Sequence, residues 1–263
     1  MIFSDEFDGS SLNTAKWQMC NPSFSPQSDL NYCKTTYNDE QQWFRATTTN
    51  NQNVKVSDGA LRLIATKEGG QVYSGMVSTG PNKFGYNLPG YKPFSYTYGY
   101  FEARAKFPKG KGYWPSFWML PDQSDCAKYS RACDQWPVSG EYDVVEIPGD
   151  NPREIHMTEH DAQTAGAGDG TTTYDVDASD GWHTYGFDRE PGFLKWYIDG
   201  KLYKTFTNAT GLKDYPFYPI ANFSLGGPES WGGAGGPIKG GINSTTVYPA
   251  EFAIDYMRVF QQK

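Results

Sequence analysis

Along the chain, apolar residues come in short runs that either alternate with polar residues or are continuous, and the i, i+3, i+4 spacing of an amphipathic helix is nearly absent. Eight segments carry this strand pattern: Ala60 to Thr66, Tyr98 to Phe107, Trp114 to Leu120, Tyr142 to Ile147, His183 to Asp188, Leu194 to Ile198, Phe217 to Ser224 and Phe252 to Phe260. The 29 Gly and 17 Pro fall between such runs, so tight turns and wide loops, not helices, join the strands. Asp199-Gly200 marks a two-residue hairpin. Residues 226–241, where Gly-Gly recurs four times, read as an irregular loop, and 122–135 as a disulfide-closed excursion. No linker, repeat or charge block divides the chain. The pattern predicts an all-β sandwich in one domain over residues 1–263.

Composition adds a function class to that frame. Aromatic residues make up 16% of the chain against 20% charged, more rings than a core requires, and a concave ring-lined surface is one use for the surplus. With 23 Lys+Arg against 30 Asp+Glu, the net charge of −7 repels phosphate backbones and anionic bilayers, which excludes nucleic acid and membrane surfaces as expected partners. The mean hydropathy is −0.66, and no apolar run approaches the length that crosses a bilayer. The opening M-I-F-S-D-E-F lacks the basic-then-apolar pattern of a leader, as in a soluble chain already trimmed of one.

Four cysteines form two local pairs, Cys20 with Cys33 and Cys126 with Cys133, each closing a short polar loop. Two loop-stapling disulfides indicate an oxidising, secreted setting. A zinc site is the rival reading. The chain has no C-x-x-C, and its three histidines lie far from the cysteines in sequence. N-x-S/T triplets at Asn208, Asn222 and Asn243 decide nothing alone.

The segment G-E-Y-D-V-V-E places Glu141, Asp143 and Glu146 among residues that otherwise favour a strand. Strand side chains alternate, so Glu141 and Asp143 share a face while Glu146 would point the other way. One extra residue at Val144-Val145 restores the parity, and a β-bulge supplies it. Glu141 and Glu146 then stand about four strand steps apart, roughly 13 Å between Cα atoms. Side chains leaning inward from a curved strand would close this to the approximately 5–5.5 Å of a retaining glycosidase pair. That chemistry needs one ionised and one protonated carboxyl, and Asp143 between them would hold their pKa values apart. A solvated acidic strand or a calcium site remains the alternative. Trp114, Trp118 and Trp136 flank the segment in sequence, as rings that stack on pyranose faces, although Trp114 and Trp118, four apart, could equally line the core.

The sequence resembles glycoside hydrolase family 16, in its laminarinase-like branch. The resemblance spans nearly the whole chain and rests on F-S-D-E-F-D-G from Phe3, Y-G-Y-F-E-A-R-A-K-F-P-K-G from Tyr98, W-P-S-F-W-M-L-P from Trp114 and W-P-V-S-G-E-Y-D-V-V-E from Trp136. It continues in H-M-T-E-H from His156, D-G-W-H-T-Y from Asp180, W-Y-I-D-G-K from Trp196 and I-D-Y-M-R-V-F from Ile254. The resemblance implies a β-jelly-roll sandwich of two antiparallel sheets with an open substrate cleft on its concave face. It implies Glu141 as nucleophile, Asp143 as assisting acid and Glu146 as acid/base, with no cofactor for catalysis. Arg104, Trp114, Trp118, Trp136, His160 and Trp231 resemble residues lining the sugar cleft, and His156 and Asn222 are further candidates. Arg104 could instead pair with an acid on its own sheet. His156 and His160, four apart, would share a strand face, where one polar cleft histidine is the commoner outcome than a metal pair. A structural calcium is implied at Glu6, Gly59 and Asp255.

Departures from the family pattern bear on the substrate. Asp39-Glu40-Gln41-Gln42 stands where relatives read N-E-x-Q, Tyr142 replaces an aliphatic residue, and Ile147-Pro148 replaces a more usual aromatic. The expected activity is a secreted, monomeric endo-glucanase that cleaves β-1,3 or mixed β-1,3/1,4 linkages of a polysaccharide with retention. A galactan hydrolase of the agar or porphyran type is the alternative. A non-catalytic sugar-binding jelly roll is a third, disfavoured because a binding module needs no raised-pKa donor opposite a nucleophile.

Overall fold

The strand-forming runs assemble into two sheets whose apolar faces meet. In a computed structural model, the described residues are 1–20, 25–26, 32–34, 37–47, 50–81, 90–163, 168–209 and 211–262. The larger sheet has twelve strands, ordered along its main path Lys201–Phe206, Phe193–Ile198, His183–Glu190, Gly99–Lys106, Ala250–Phe260, Ala60–Glu68, Gln71–Ser74, Gln42–Arg45, Tyr32–Lys34 and Ser25–Pro26. Phe3–Asp5 pairs with Ala250–Phe260, and Val54–Ser57 with Ala60–Glu68. The smaller sheet runs Asp169–Thr173, Ile155–His160, Glu141–Glu146, Tyr113–Pro121, Phe217–Leu225 and Met76–Ser78. Pairing is antiparallel except between Gln42–Arg45 and Gln71–Ser74. This is the expected β-jelly-roll sandwich, and all eight expected strands are present.

Alternation along Tyr113–Pro121 shows how the sequence builds both a core and a cleft. Tyr113, Phe117 and Met119 enter the core between the sheets, while Trp114, Ser116, Trp118 and Leu120 line the opposite, concave face. Phe117 packs edge-on to Phe107 at 5.8 Å and lies 5.2 Å from Phe252, which belongs to the larger sheet. The next strand, Phe217–Leu225, is buried along its whole length, with Asn222 and Ser224 turned to the cleft.

Both expected disulfides form, with Cα atoms 6.2 Å apart for Cys20–Cys33 and 5.8 Å for Cys126–Cys133. The first differs from the polar-loop expectation: its cysteines are buried in a small apolar cluster with Phe44, Met76, Leu120, Tyr218 and Ile220. It therefore braces the cleft floor at Leu120. The second closes the 122–135 excursion, and Cys133 itself lines the cleft.

Candidate active site

The three acids of the Glu141–Glu146 strand all line a cavity of about 740 Å3 on the concave face. Register shows how they come to share it. Trp118 lies opposite Asp143 and Phe117 opposite Val145, so Val144 is the extra residue of a bulge, and Ser116 then faces Glu146. On the other side Glu141 pairs with His160, Asp143 with Thr158 and Glu146 with His156, with the shift again between Asp143 and Glu146. Val144 and Val145 are both buried, which fixes the bulge by packing. Its backbone is held from beneath by Trp196, whose Nε1 donates to the Asp143 carbonyl at 2.8 Å.

The carboxylates occupy distinct surroundings. Glu146 Oε1 accepts from Trp114 Nε1 at 2.9 Å. Asp143 Oδ2 lies 2.9 Å from His160 Nε2, and ligand atoms of Glu141, Asp143 and His160 fall within 4.8 Å of one another. Burial raises Glu141 well above the usual carboxylate range, and the charge of Asp143 raises it further. Burial pushes Asp143 up to about 7, against the pull of the buried Lys204 ammonium and a hydrogen bond with Glu141. Glu146 is pushed up to about 8, first by burial and then by Asp143. The charge of Asp143 raises both glutamates, so the protons of the three acids leave as a set. A hydrogen bond from Trp136 and the charge of His160 favour the Glu141 anion, while the described residues that line the cavity include no arginine or lysine.

A polar chain runs along the cleft floor from Trp118, which lies opposite Asp143. Trp118 Nε1 donates to Asn222 Oδ1 at 2.6 Å, Asn222 Nδ2 to Ser224 Oγ at 2.7 Å, and Ser224 Oγ to Glu40 Oε2 at 2.6 Å. Gln42 Nε2 donates to the same Glu40 oxygen at 2.6 Å. Glu40 and Ser224 escaped the sequence reading, although Glu40 and Gln42 sit in the D-E-Q-Q segment, because their partners lie about 180 residues away in the chain. The same segment explains one departure from the family pattern: Asp39 Oδ2 accepts from the Glu229 amide at 2.9 Å and ties the glycine-rich loop to the cleft rim. Tyr142 is explained too. Its hydroxyl donates to the Gly211 carbonyl at 2.8 Å, and its ring stacks on Phe217 at 4.5 Å.

The cavity collects Trp114, Trp118, Trp136 and Asn222 with the acids. Trp136 is half exposed at one wall, its ring 5.8 Å from His160. His156 and Trp231 stand outside the lining: Trp231 stacks on Trp114 at 4.9 Å, and His156 packs against Trp231 at 4.6 Å. Trp231 backs the indole that holds Glu146, and His156 lies directly opposite Glu146 in the strand register. Arg104 is a correction. It lies on Gly99–Lys106 in the larger sheet, with Nη1 2.5 Å from Asp255 Oδ2 and its guanidinium 5.4 Å over the Trp182 ring. An outward position on the far sheet cannot reach the cleft.

The calcium expectation meets the same pairing. Asp255 is held by Arg104, and Glu6 is gripped by Arg258 through Nε at 3.0 Å and Nη2 at 2.5 Å. Gly59 is the second residue of the hairpin turn after Asp58, at φ +69°. A cation there would have to displace two guanidinium groups from the only two carboxylates of the set, so these residues as arranged do not fit a calcium ion.

An all-β sandwich with a carboxylate cluster at the foot of a tryptophan-lined cleft has the equipment of a glycoside hydrolase. The chain belongs to glycosyl hydrolases family 16, whose family model matches residues 40–239. The beta-glucanase of Rhodothermus marinus is 31% identical over 99% of this chain and 85% of that protein. Endo-1,3-1,4-beta-glycanase EglC of Rhizobium meliloti is 28% identical, covering 98% of this chain and 51% of that protein. Among solved structures, the laminarinase from Rhodothermus marinus superposes with a TM-score of 0.75 at 30% identity, covering 98% of this chain and 95% of that one. The laminarinase catalytic domain from Thermotoga petrophila gives 0.74 at 26%, covering 100% and 97%.

Proposed function

We propose that the chain is a secreted, monomeric endo-glucanase, one catalytic domain over residues 1–263, that cleaves β-1,3 or mixed β-1,3/1,4 bonds of glucans such as laminarin and lichenan with retention. The observation that carries this reading is the Val144 bulge, which turns Glu141, Asp143 and Glu146 into one cavity floored by Trp114 and Trp118. The names of the relatives point the same way.

In the proposed reaction a Glu141 carboxylate oxygen attacks the anomeric carbon. The glycosidic C–O bond breaks, and the Glu146 proton goes to the leaving oxygen. Glu146 then takes a proton from water, and the water oxygen displaces Glu141 from the anomeric carbon and restores both groups. Trp114 holds Glu146 at the leaving-group side, and Asp143 raises Glu146 by its charge while sharing a proton with Glu141. His160 steadies Asp143.

A neutral glucan fits better than a sulfated galactan, because sulfate esters call for arginine or lysine and the described residues lining the cavity include neither. Incubation with laminarin, lichenan, agarose and porphyran, with NMR of the first-formed anomer, tests the proposal. The β-anomer from laminarin or lichenan is expected, and activity confined to agarose or porphyran overturns the substrate. Azide should restore turnover to Glu141→Ala as an inverted glycosyl azide, and a wild-type rate without azide removes Glu141 from the role.

A further inference from the structure

The outward face of the larger sheet, opposite the cleft, carries a line of side chains that the proposed reaction leaves unused. Register sets Lys55 opposite Arg62, Arg62 opposite Ala253, and Ala253 opposite Lys106. Residues paired across antiparallel strands project to one face. Their neighbours Val54, Leu61, Phe252 and Ala105 take the buried face, so these four form a row across the strands. At a strand spacing of about 4.8 Å the row is roughly 14 Å long. Trp182 stands at its Lys106 end, just ahead of the strand whose His183 pairs with Ala105, and is 38% exposed. Ala253 is the small residue of the row, and there the surface dips into a depression of about 440 Å3 between Arg62 and Glu251 on one side and Lys106, Lys109 and Trp182 on the other.

The arginines of this face are already committed. Arg62 pairs with Glu251 and lies 3.4 Å from Asp58, and Arg104 is held by Asp255 beneath Trp182. The lysines differ: Lys55 and Lys106 are exposed and form no ion pair among the described residues, Glu251 being held by Arg62, and Lys109 acts only at a distance on Asp177. In a chain of net charge −7, exposed lysines without an ion pair at the two ends of this row, one of them beside an exposed indole, are a local excess of positive charge.

We propose that this row is a second saccharide-binding site, outside the cleft, for a polyuronate chain. A sugar ring rests on the exposed part of Trp182, and carboxylates of uronates spaced along one chain reach the Lys106 and Lys55 ammonium groups at the two ends of the row. Uronates suit it better than sulfate esters, because the forked guanidinium groups are occupied and the free charges are single, spaced ammonium ions. Such a site would tether the protein to an acidic polysaccharide without engaging the carboxylate cleft, so it stands or falls apart from the glucanase reading.

Native gel electrophoresis of the full chain through alginate, a polyuronate, tests it. Alginate should retard the wild type, and Lys55→Glu/Lys106→Glu should weaken that retention at least about tenfold, or about 1.4 kcal/mol. Salt of about 0.3 M should abolish it. Neither lysine touches the cleft, so laminarin hydrolysis by this variant should keep its kcat and KM. A control with the same charge change at distant exposed positions, Lys67→Glu/Lys128→Glu, should still be retained. Trp182→Ala should weaken retention with no change of net charge. The proposal is overturned if both double variants lose retention equally, if Lys55→Glu/Lys106→Glu is retained like wild type, or if dextran sulfate retards the protein and alginate does not.

Discussion

Replacing Glu146 by Gln should make the protein more stable at neutral and alkaline pH while disabling it. Burial and the Asp143 charge hold Glu146 at about 8, against its ordinary 4.5. A carboxyl whose pKa is higher folded than unfolded favours the fold most below about pH 4.5, and that advantage is lost as pH rises through about 8. At about 1.36 kcal/mol per pH unit the ceiling is roughly 5 kcal/mol, and water at the cleft mouth reduces it to about 2 kcal/mol. Glutamine never ionises, and its amide oxygen still accepts from Trp114 Nε1, so the substitution opens no cavity. For a chain of this length about 2 kcal/mol corresponds to roughly 4–8 °C in Tm. Calorimetry from pH 4 to pH 9 should show curves that nearly coincide at the acid end and separate in favour of the variant as pH rises. The same variant should lose polysaccharide hydrolysis yet keep cleaving aryl glycosides whose leaving group needs no proton. A Tm gap that does not change with pH, or a wild type more stable than the variant at pH 8, would refute the electrostatic account.

Asp143→Asn removes the charge that helps hold Glu146 protonated, so the alkaline limb of kcat/KM should move down by about one pH unit; an unmoved limb would place the source elsewhere. Trp196→Phe leaves the Asp143 carbonyl at the bulge without its donor and should cost about 1–3 kcal/mol in urea unfolding, with activity falling at temperatures where the variant is still fully folded. Because Glu6 and Asp255 are held by arginines, millimolar calcium or a chelator should leave Tm within about 1 °C of its starting value, and a clear rise with calcium would restore that site. Arg104→Ala should leave KM for laminarin unchanged, since its side chain faces away from the cleft.

Much of this protein is legible in one dimension because its rules are local. Short alternating or continuous apolar runs mark eight of the strands, and the parity of Glu141, Asp143 and Glu146 demands an extra residue, which the structure places at Val144. Pairs of cysteines seven and thirteen residues apart are near enough in sequence to name their own partners. What the sequence leaves open depends on which face a side chain takes and on what meets it from far along the chain. Arg104 reads as a cleft residue until the larger sheet turns it outward to Asp255, 151 residues on. Trp231 reaches the acids through Trp114, by a stack that the loop after Gly226 creates, and His156 joins that stack from its place opposite Glu146. Glu40 enters the site through Ser224, 184 residues away, and Trp196 reaches the bulge from the opposite sheet. Alternation and turn chemistry act between neighbours in sequence, so composition and spacing record them. The field at the carboxylates is set by burial and by groups that only the stacking of two sheets brings together, and no local pattern encodes that distance.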